Sequence, residues 1–376
     1  MKRRPRVLFA GGGTGGHLYP ALALARAFEE RPDGADVFFL GAQRGVEARV
    51  LPDRGVPHAL LPFEPIRRER PWQNWRLVPA LAKAGVGIAR TFRGFSPDLV
   101  VGTGGYASGP VVAWAILSGV PAAVQEQNSY PGITTRLLAS RVRQIHLAFP
   151  EARRHLKPGR RTEVFVLGNP IQPPDQSIDR ASARRRFSLG SGPVVLVVGG
   201  SQGARAVNES LLKDLRAVGS GSGAPRPEGL EILWATGPAH HAAVAAELER
   251  LGVTEWVHAE PYIHEMPQAL AAADLAISRA GAMALAELCA WGIPSILVPF
   301  PHAAANHQYH NARALADAGA AVLIPESELR PGRLWEELVR LAGDEARRAE
   351  LAARAAERGH PHAAREIVER LATLLQ

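Results

Sequence analysis

His17 stands at the end of Gly11-Gly12-Gly13-Thr14-Gly15-Gly16, where the short apolar run Val7–Ala10 gives way to helical periodicity. The backbone N–H groups of such a turn, with the positive end of the helix they open, suit an anionic or sugar ligand. A histidine at a strand's C-terminal end sits where open α/β sheets bind ligands, and an ordinary pKa of about 6.5 suits it to general-base work. Two plainer readings stand beside these: a tight strand-to-helix turn with no ligand, and a histidine that only caps a helix. The spacing Gly11-x-Gly13-x-x-Gly16 also matches the dinucleotide fingerprint, which requires an acidic residue about 20 positions on, at the end of the second strand. That strand ends Phe39-Leu40-Gly41-Ala42-Gln43, without a carboxylate, which argues against a dehydrogenase.

A second constellation follows the run Asp274–Ser278. The stretch from Gly281 through Ala282, Met283, Ala284, Leu285 and Ala286 to Glu287 opens a helix whose first amides and dipole could hold a diphosphate without a metal. Glu287 can accept two hydrogen bonds from adjacent ribose hydroxyls. It could equally be a solvated helix residue, but Met283, Leu285, Leu288 and Cys289 around it are apolar, and a carboxylate among them requires a partner. Metal chemistry is not expected. There is no His-Glu-x-x-His and no Asp-x-Asp pair, and His302, His307 and His310 lack an accompanying carboxylate or thiolate set. Cys289 is the only cysteine, so no intrachain disulfide forms, and its apolar neighbours make it a poor nucleophile.

These residues need elements to hold them. Short apolar runs alternate with amphipathic segments: Arg6–Ala10, Asp36–Leu40, Asp98–Gly102, Ala122–Gln125, Gln144–Ala148 and Glu163–Leu167, then Pro193–Val198, Glu231–Ala235, Glu255–His258, Asp274–Ser278, Ser295–Pro299 and Ala321–Ile324. Between them Leu18, Ala21, Leu22 and Ala25 fall on one helical face. Such alternation implies parallel sheets covered on both faces. The opening repeats half a chain later, as Val194–Val198 followed by Gly199-Gly200-Ser201-Gln202-Gly203, which predicts two doubly wound Rossmann-like domains facing a cleft. Residues 1–168 form the first and 169–360 the second, with a final helix over 361–376 packing back on the first. The stretch from Gly219 to Gly229 reads as a mobile surface insertion.

At 376 residues, 46% hydrophobic and 21% charged, the chain is globular rather than disordered and long enough for two cores. Its net charge of +8 suits an anionic partner, whether nucleic acid, acidic lipid or phosphorylated substrate. The basic N-terminus is followed by too short an apolar run for a signal peptide, and glycines and prolines break the uncharged stretch Leu99–Gln125, so no spanning segment is expected.

Six ordered stretches together resemble the MurG-type UDP-N-acetylglucosamine transferases of peptidoglycan synthesis, which have the two-domain GT-B fold. They are GGGTGGHLYPALALA (Gly11–Ala25), GTGGYASGP (Gly102–Pro110), QEQNSYPG (Gln125–Gly132), GGSQGA (Gly199–Ala204), SRAGAMALAE (Ser278–Glu287) and PFPHAAANHQYHNA (Pro299–Ala312). The resemblance implies a metal-independent, inverting hexosyltransferase that needs no cofactor. It would move N-acetylglucosamine from UDP-N-acetylglucosamine to the C4 hydroxyl of the muramyl sugar of undecaprenyl-pyrophosphate-linked lipid I, giving lipid II for cell-wall biogenesis, cell shape and division. It also assigns roles. Thr14, Gly15 and Gly16 line the cleft near phosphates, with His17 close to the acceptor. Asn128 contacts the donor sugar, Ser201 the diphosphate, Ile263 uracil, Ala282 to Glu287 the diphosphate and ribose, and Gln308 the sugar hydroxyls. His17 is the first candidate base and Glu126 the second, with orientation of the histidine as an alternative role for Glu126. Many members carry arginine where this chain has Gln172, which removes a charge-assisted phosphate contact.

The acceptor of this family is a lipid, so contact with the cytoplasmic face of the cell membrane is expected, as a peripheral protein. The segment Ile66–Phe95 supports that separately. Arg67, Arg68, Arg70, Arg76, Lys83, Arg90 and Arg93 stand against Glu69 alone, interleaved with Trp72, Trp75, Leu81 and Phe92. Cations with aromatic and aliphatic anchors make an interfacial patch for an anionic membrane; ordinary surface and single-stranded nucleic acid are the competing readings, and nucleic acid is not expected. The competing functions are another GT-B enzyme, either a UDP-N-acetylglucosamine 2-epimerase or a transferase with a different acceptor, and a non-enzymatic binding module.

Overall fold

The computed structural model describes residues 3–64, 72, 75, 77–200 and 202–375, apart from the side chains of residues 77 and 78. The chain divides into two compact units, Met1–Gln172 with His362–Gln376, and Pro173–Pro361.

The first unit is a seven-stranded parallel sheet. Its strands are β1 (Arg6–Gly11), β2 (Asp36–Ala42), β3 (His58–Leu61), β4 (Leu99–Gly104), β5 (Ala122–Glu126), β6 (Gln144–Leu147) and β7 (Glu163–Val166), in the order β3-β2-β1-β4-β5-β6-β7. The helices between them are α1 (Gly15–Glu29), α2 (Glu47–Asp53), α3 (Leu77–Phe95), α4 (Gly105–Leu117) and α5 (Ile133–Leu138). Side chains alternate across a strand, and β1 makes that visible. Val7 and Phe9 enter a core with Leu18, Leu24 and Phe28 of α1, whereas Leu8 and Ala10 enter another with Val111 and Val112 of α4. The order reverses at β1, which lies between β2 and β4, so α1 and α4 cover opposite faces and their first turns open at the same sheet edge.

β3 lies outside the strands that the sequence pattern predicts. His-Ala-Leu-Leu is too short to show alternation, and as an edge strand it needs only β2, with Phe39 opposite His58.

The second unit is a six-stranded parallel sheet of β8 (Val194–Val198), β9 (Glu231–Ala235), β10 (Val257–Glu260), β11 (Leu275–Ser278), β12 (Ser295–Leu297) and β13 (Ala321–Leu323), ordered β10-β9-β8-β11-β12-β13. Its helices are α6 (Arg180–Arg186), α7 (Arg205–Gly219), α8 (Pro238–Leu251), α9 (Met266–Ala272), α10 (Ala282–Ala290), α11 (His307–Asp317), α12 (Arg333–Gly343) and α13 (Glu345–Glu357). Trp234 and Trp335 are fully buried in its core. The 219–229 stretch is tied down rather than loose. The Trp335 indole donates to the Ala224 carbonyl at 2.8 Å, and the Arg226 guanidinium lies 4.5 Å from the Trp256 ring centre. The glycine-rich composition hid those two anchors.

The last helix, α14 (Ala363–Ala372), belongs to the first unit, where Ile367, Val368 and Leu371 join the core formed by Val7, Phe9 and α1.

Candidate functional site

In the first unit the candidate residues gather at the C-terminal ends of β1, β4 and β5. Thr14 is the N-cap of α1 with extended backbone, and its side chain caps no amide. Instead its hydroxyl lies 3.1 Å from Nδ1 of His17, which fixes the ring. The His17 carbonyl accepts from Thr103 Oγ1 at 2.8 Å. Gly104 adopts φ 95°, and a Cβ there would stand 2.7 Å from Cδ2 of His17; a Cβ on Gly105 would strike the Gly12 carbonyl at 2.1 Å. GTGGY therefore brings the backbone of one loop against the other and leaves room for the imidazole.

The glycine loop has an anchor that the sequence pattern did not reveal. Glu47, the first residue of α2, is completely buried. Its Oε1 accepts from Ala42 N at 2.8 Å and Gly13 N at 3.0 Å, and its Oε2 lies 2.9 Å from the same Gly13 N. A Cβ at Gly12, Gly41 or Gly45 would occupy the space of this carboxylate. A signal was present, glycines on either side of the β2 end followed by an acid. A ribose ligand belongs at the end of β2, whereas Glu47 comes four residues after Gln43 and turns inward onto the protein's own amides.

Glu126 ends β5 and is buried. Its oxygens receive Thr135 Oγ1 at 2.6 Å, Gly132 N at 3.0 Å, Asn128 N at 3.2 Å and Asn128 Nδ2 at 3.4 Å. Burial raises its carboxyl above the usual range, while these four donors pull it down. The group organises the QEQNSYPG turn and sets the Asn128 amide. Behind it, Gln125 Nε2 donates to Asn169 Oδ1 at 3.0 Å, Asn169 Nδ2 to the Gln127 carbonyl at 3.1 Å, and Gln127 Nε2 to the Thr103 carbonyl at 2.9 Å. The rim is thus one hydrogen-bonded network from Thr103 to Asn169.

In the second unit, α10 begins at Gly281 with no side-chain cap. The loop before it is held from outside. Gln308 Oε1 accepts from Ala280 N at 3.2 Å and Phe300 N at 2.9 Å, which fixes the amide orientation and leaves its NH₂ as the donor side. Asn311 Nδ2 donates to the Ala280 carbonyl at 3.3 Å. Arg279, nearly buried, donates to the Val298 and Pro299 carbonyls at 3.1 and 3.3 Å and pairs with Glu326 at 2.5 Å. Of the predicted run, Leu285 turns into the core and its amide bonds the Gly281 carbonyl at 3.0 Å, so it shapes the helix. Burial pushes the Glu287 carboxyl up to about 7, and no hydrogen-bond partner for it occurs among the described residues. Burial likewise pushes the Cys289 thiol up to about 12.

Ser201 lies outside the described residues. Around it, Gly203 takes φ 76° and a Cβ there would meet the Thr236 carbonyl at 2.1 Å, while Asn208 Nδ2 holds that carbonyl at 2.8 Å. Ile263 is buried just beyond β10, three strand positions from β11, or about 14 Å at the usual strand spacing. Ile263 and the start of α10 thus share a sheet edge without being neighbours in it.

Of the basic-aromatic segment, Arg67, Arg68, Arg70 and Arg76 lie outside the described residues. Trp72 and Trp75 are 71% and 67% exposed, and Leu81 is 50% exposed. Lys83, Arg90 and Arg93 are exposed on α3, whose Ala84 and Ile88 are buried. Phe92 is only partly exposed and packs against the core of the first unit, on the same face of α3 as Ala84 and Ile88. Among the described residues no helix is long and apolar enough to cross a membrane.

Comparison with known proteins follows the same division. Residues 7–147 match the glycosyltransferase family 28 N-terminal domain and residues 194–369 its C-terminal domain. The UDP-N-acetylglucosamine–N-acetylmuramyl-(pentapeptide) pyrophosphoryl-undecaprenol N-acetylglucosamine transferase of Moorella thermoacetica is 42% identical over 372 residues, 97% of each chain. The crystal structure of MurG from Acinetobacter baumannii aligns with a TM-score of 0.78 at 27% identity, over 99% of this chain and 100% of that one. A UDP-GlcNAc 2-epimerase from Neisseria meningitidis bound to UDP-GlcNAc aligns at 0.65 and 14% identity, over 99% and 100%, a likeness of fold alone. The chain belongs to glycosyltransferase family 28 and, within it, to the MurG-type N-acetylglucosamine transferases, with the GT-B fold.

Proposed function

We propose that the protein transfers N-acetylglucosamine from UDP-N-acetylglucosamine to the C4 hydroxyl of the muramyl sugar of lipid I, forming lipid II and releasing UDP. Likeness to the Moorella thermoacetica transferase along nearly the whole chain supports the acceptor assignment. One geometric observation carries the donor assignment: Glu287 is a half-buried carboxylate without a hydrogen-bond partner among the described residues, on the helix that opens after Gly281. Vicinal ribose hydroxyls supply the two donors such a carboxylate lacks, and the positive end of the α10 dipole favours a diphosphate.

In this reading the second unit binds the donor and the first unit the acceptor. His17 removes the C4 hydroxyl proton as the oxygen attacks the anomeric carbon, and the bond from that carbon to the diphosphate oxygen breaks with its electrons leaving on UDP. With its proton on Nδ1, held by the Thr14 hydroxyl, the neutral His17 ring takes up the acceptor proton on Nε2. Glu126 is better suited to holding Asn128 and the loop around it than to taking the proton, because four donors already occupy its oxygens. The Gln308 NH₂ faces the sugar hydroxyls. Attack opposite the leaving group inverts the anomeric centre, and oriented amides stabilise the departing charge.

The exposed Trp72, Trp75, Leu81, Lys83, Arg90 and Arg93 support contact with an anionic membrane surface, as a peripheral protein on its cytoplasmic face. Flotation should show the protein on anionic but not neutral liposomes, and binding to neither would remove the membrane assignment.

Incubation with labelled UDP-N-acetylglucosamine and lipid I tests the reaction. Label should appear in the lipid only when lipid I is present. Epimerised sugar without any acceptor would instead favour the epimerase reading.

A further inference from the structure

We propose that Glu47 is a positioning residue for the transfer reaction, its carboxylate fixing Gly13 and through it the loop that carries Thr14 and His17. Three features of the site suggest a built anchor. The carboxylate is completely buried, so it contacts no substrate. Its oxygens take the amide protons of Gly13, just after β1, and of Ala42, the last residue of β2. Three glycines clear its space, since a Cβ on Gly12 would lie 2.0 Å from Oε1, one on Gly45 2.1 Å from Oε2, and one on Gly41 2.6 Å from Cγ.

Gly13 takes φ 91°, and on the opposite side a Cβ there would stand 2.7 Å from Cε1 of Tyr106. The strand-to-helix turn is therefore gripped between a carboxylate and an aromatic ring. Thr14 follows directly, and its hydroxyl sets the His17 imidazole. Anchoring also changes what the loop can bind. The Gly13 amide, which in a phosphate-binding turn would point at a ligand, is satisfied by the chain's own anion. That leaves the Gly15 and Gly16 amides at the N-terminus of α1. The first glycine loop thus carries an internal carboxylate on one of its own amides.

The inference rests on the reading that this rim receives the acceptor, and the test separates the two. Hydrogen exchange over residues 11–17 reads the anchor without any turnover. Glu47→Ala should lose protection there, and Glu47→Gln should keep most of it, because Oε1 accepts from both amides and only the second contact of Gly13, to Oε2, is lost. Unchanged protection in Glu47→Ala would overturn the proposal whatever the substrate. Steady-state kinetics, corrected for the folded fraction, read the consequence. Glu47→Ala should lower kcat by about 100-fold, the scale of a 1 Å misplacement of a reacting group, and raise KM for lipid I. The KM for UDP-N-acetylglucosamine should not change, and Glu47→Gln should recover most of the loss. A merely structural role would lower the active fraction without splitting the two KM values. Equal effects on both substrates, or Glu47→Gln as impaired as Glu47→Ala, would refute positioning.

Discussion

Replacing Glu287 by glutamine should make the empty protein more stable and the nucleotide-sugar complex weaker. Burial raises this carboxyl from an ordinary 4.5 to about 7. A group whose pKa is raised on folding favours the folded state while it is protonated. The advantage is complete below pH 4.5, declines as pH rises towards 7, and becomes a constant penalty above that. The span corresponds to about 3 kcal/mol at pH 8. Glutamine has the same shape and no charge, so Glu287→Gln should be up to about 3 kcal/mol more stable than the parent at pH 8 and nearly equal to it at pH 4.5. For a unit of this size that is roughly 6–12 °C in the transition of the second unit. Ligand binding should show the opposite sign. Ribose hydroxyls donate to the ionised carboxylate, so the affinity of the parent for UDP-N-acetylglucosamine should weaken about tenfold from pH 8 to pH 6 as the empty site takes up a proton. The donor's diphosphate does not titrate in that range. Calorimetric scans at pH 4.5 and 8, with titration calorimetry at pH 6 and 8, measure both. A glutamine variant no more stable at pH 8, with the same affinity and the same pH slope as the parent, would refute the argument.

Further outcomes follow from the other contacts. His17→Ala should reduce turnover at least about 100-fold while leaving UDP-N-acetylglucosamine affinity within about twofold, and unchanged turnover would remove it as base. Thr135→Val removes the 2.6 Å donor to Glu126 and should destabilise the first unit by about 2 kcal/mol, read by denaturant unfolding. Ile367→Ala should cost that unit about 2–5 kcal/mol, because its side chain is fully buried against α1 and β1; a neutral result would show that the helix contributes little to that core. Gly104→Ala should lower both melting temperature and turnover, since it forces φ 95° on an L-residue beside the His17 ring.

Much of the fold was legible because parallel sheets bury strands on both faces and so write nearly continuous apolar runs, as in Val7–Ala10 and Val194–Val198. β3 escaped that rule: four half-buried edge residues carry too little pattern. The 219–229 loop misled for a related reason, since glycine, serine and proline report backbone freedom and not the Trp335 and Arg226 contacts that remove it. Within the candidate site, His17, Glu287 and Gln308 could be named from local motifs and a family resemblance. Glu47, Thr103, Asn311 and Arg279 could not, because each acts on backbone groups brought near only by folding.

The linear order of residues determined that this protein has two strand–loop–helix openings, glycine where the chain must turn sharply, and a carboxylate set among apolar neighbours on α10. Tertiary structure alone decided which groups are satisfied. Hydrogen bonding depends on distances of about 3 Å between atoms often far apart in sequence, as between Glu47 and Gly13 or Thr103 and His17. Glu47 and Glu126 carry no local mark that distinguishes them from a solvated acid, whereas Glu287 has its apolar neighbours. Packing surrounds the first two with the protein's own donors and leaves the third without one among the described residues.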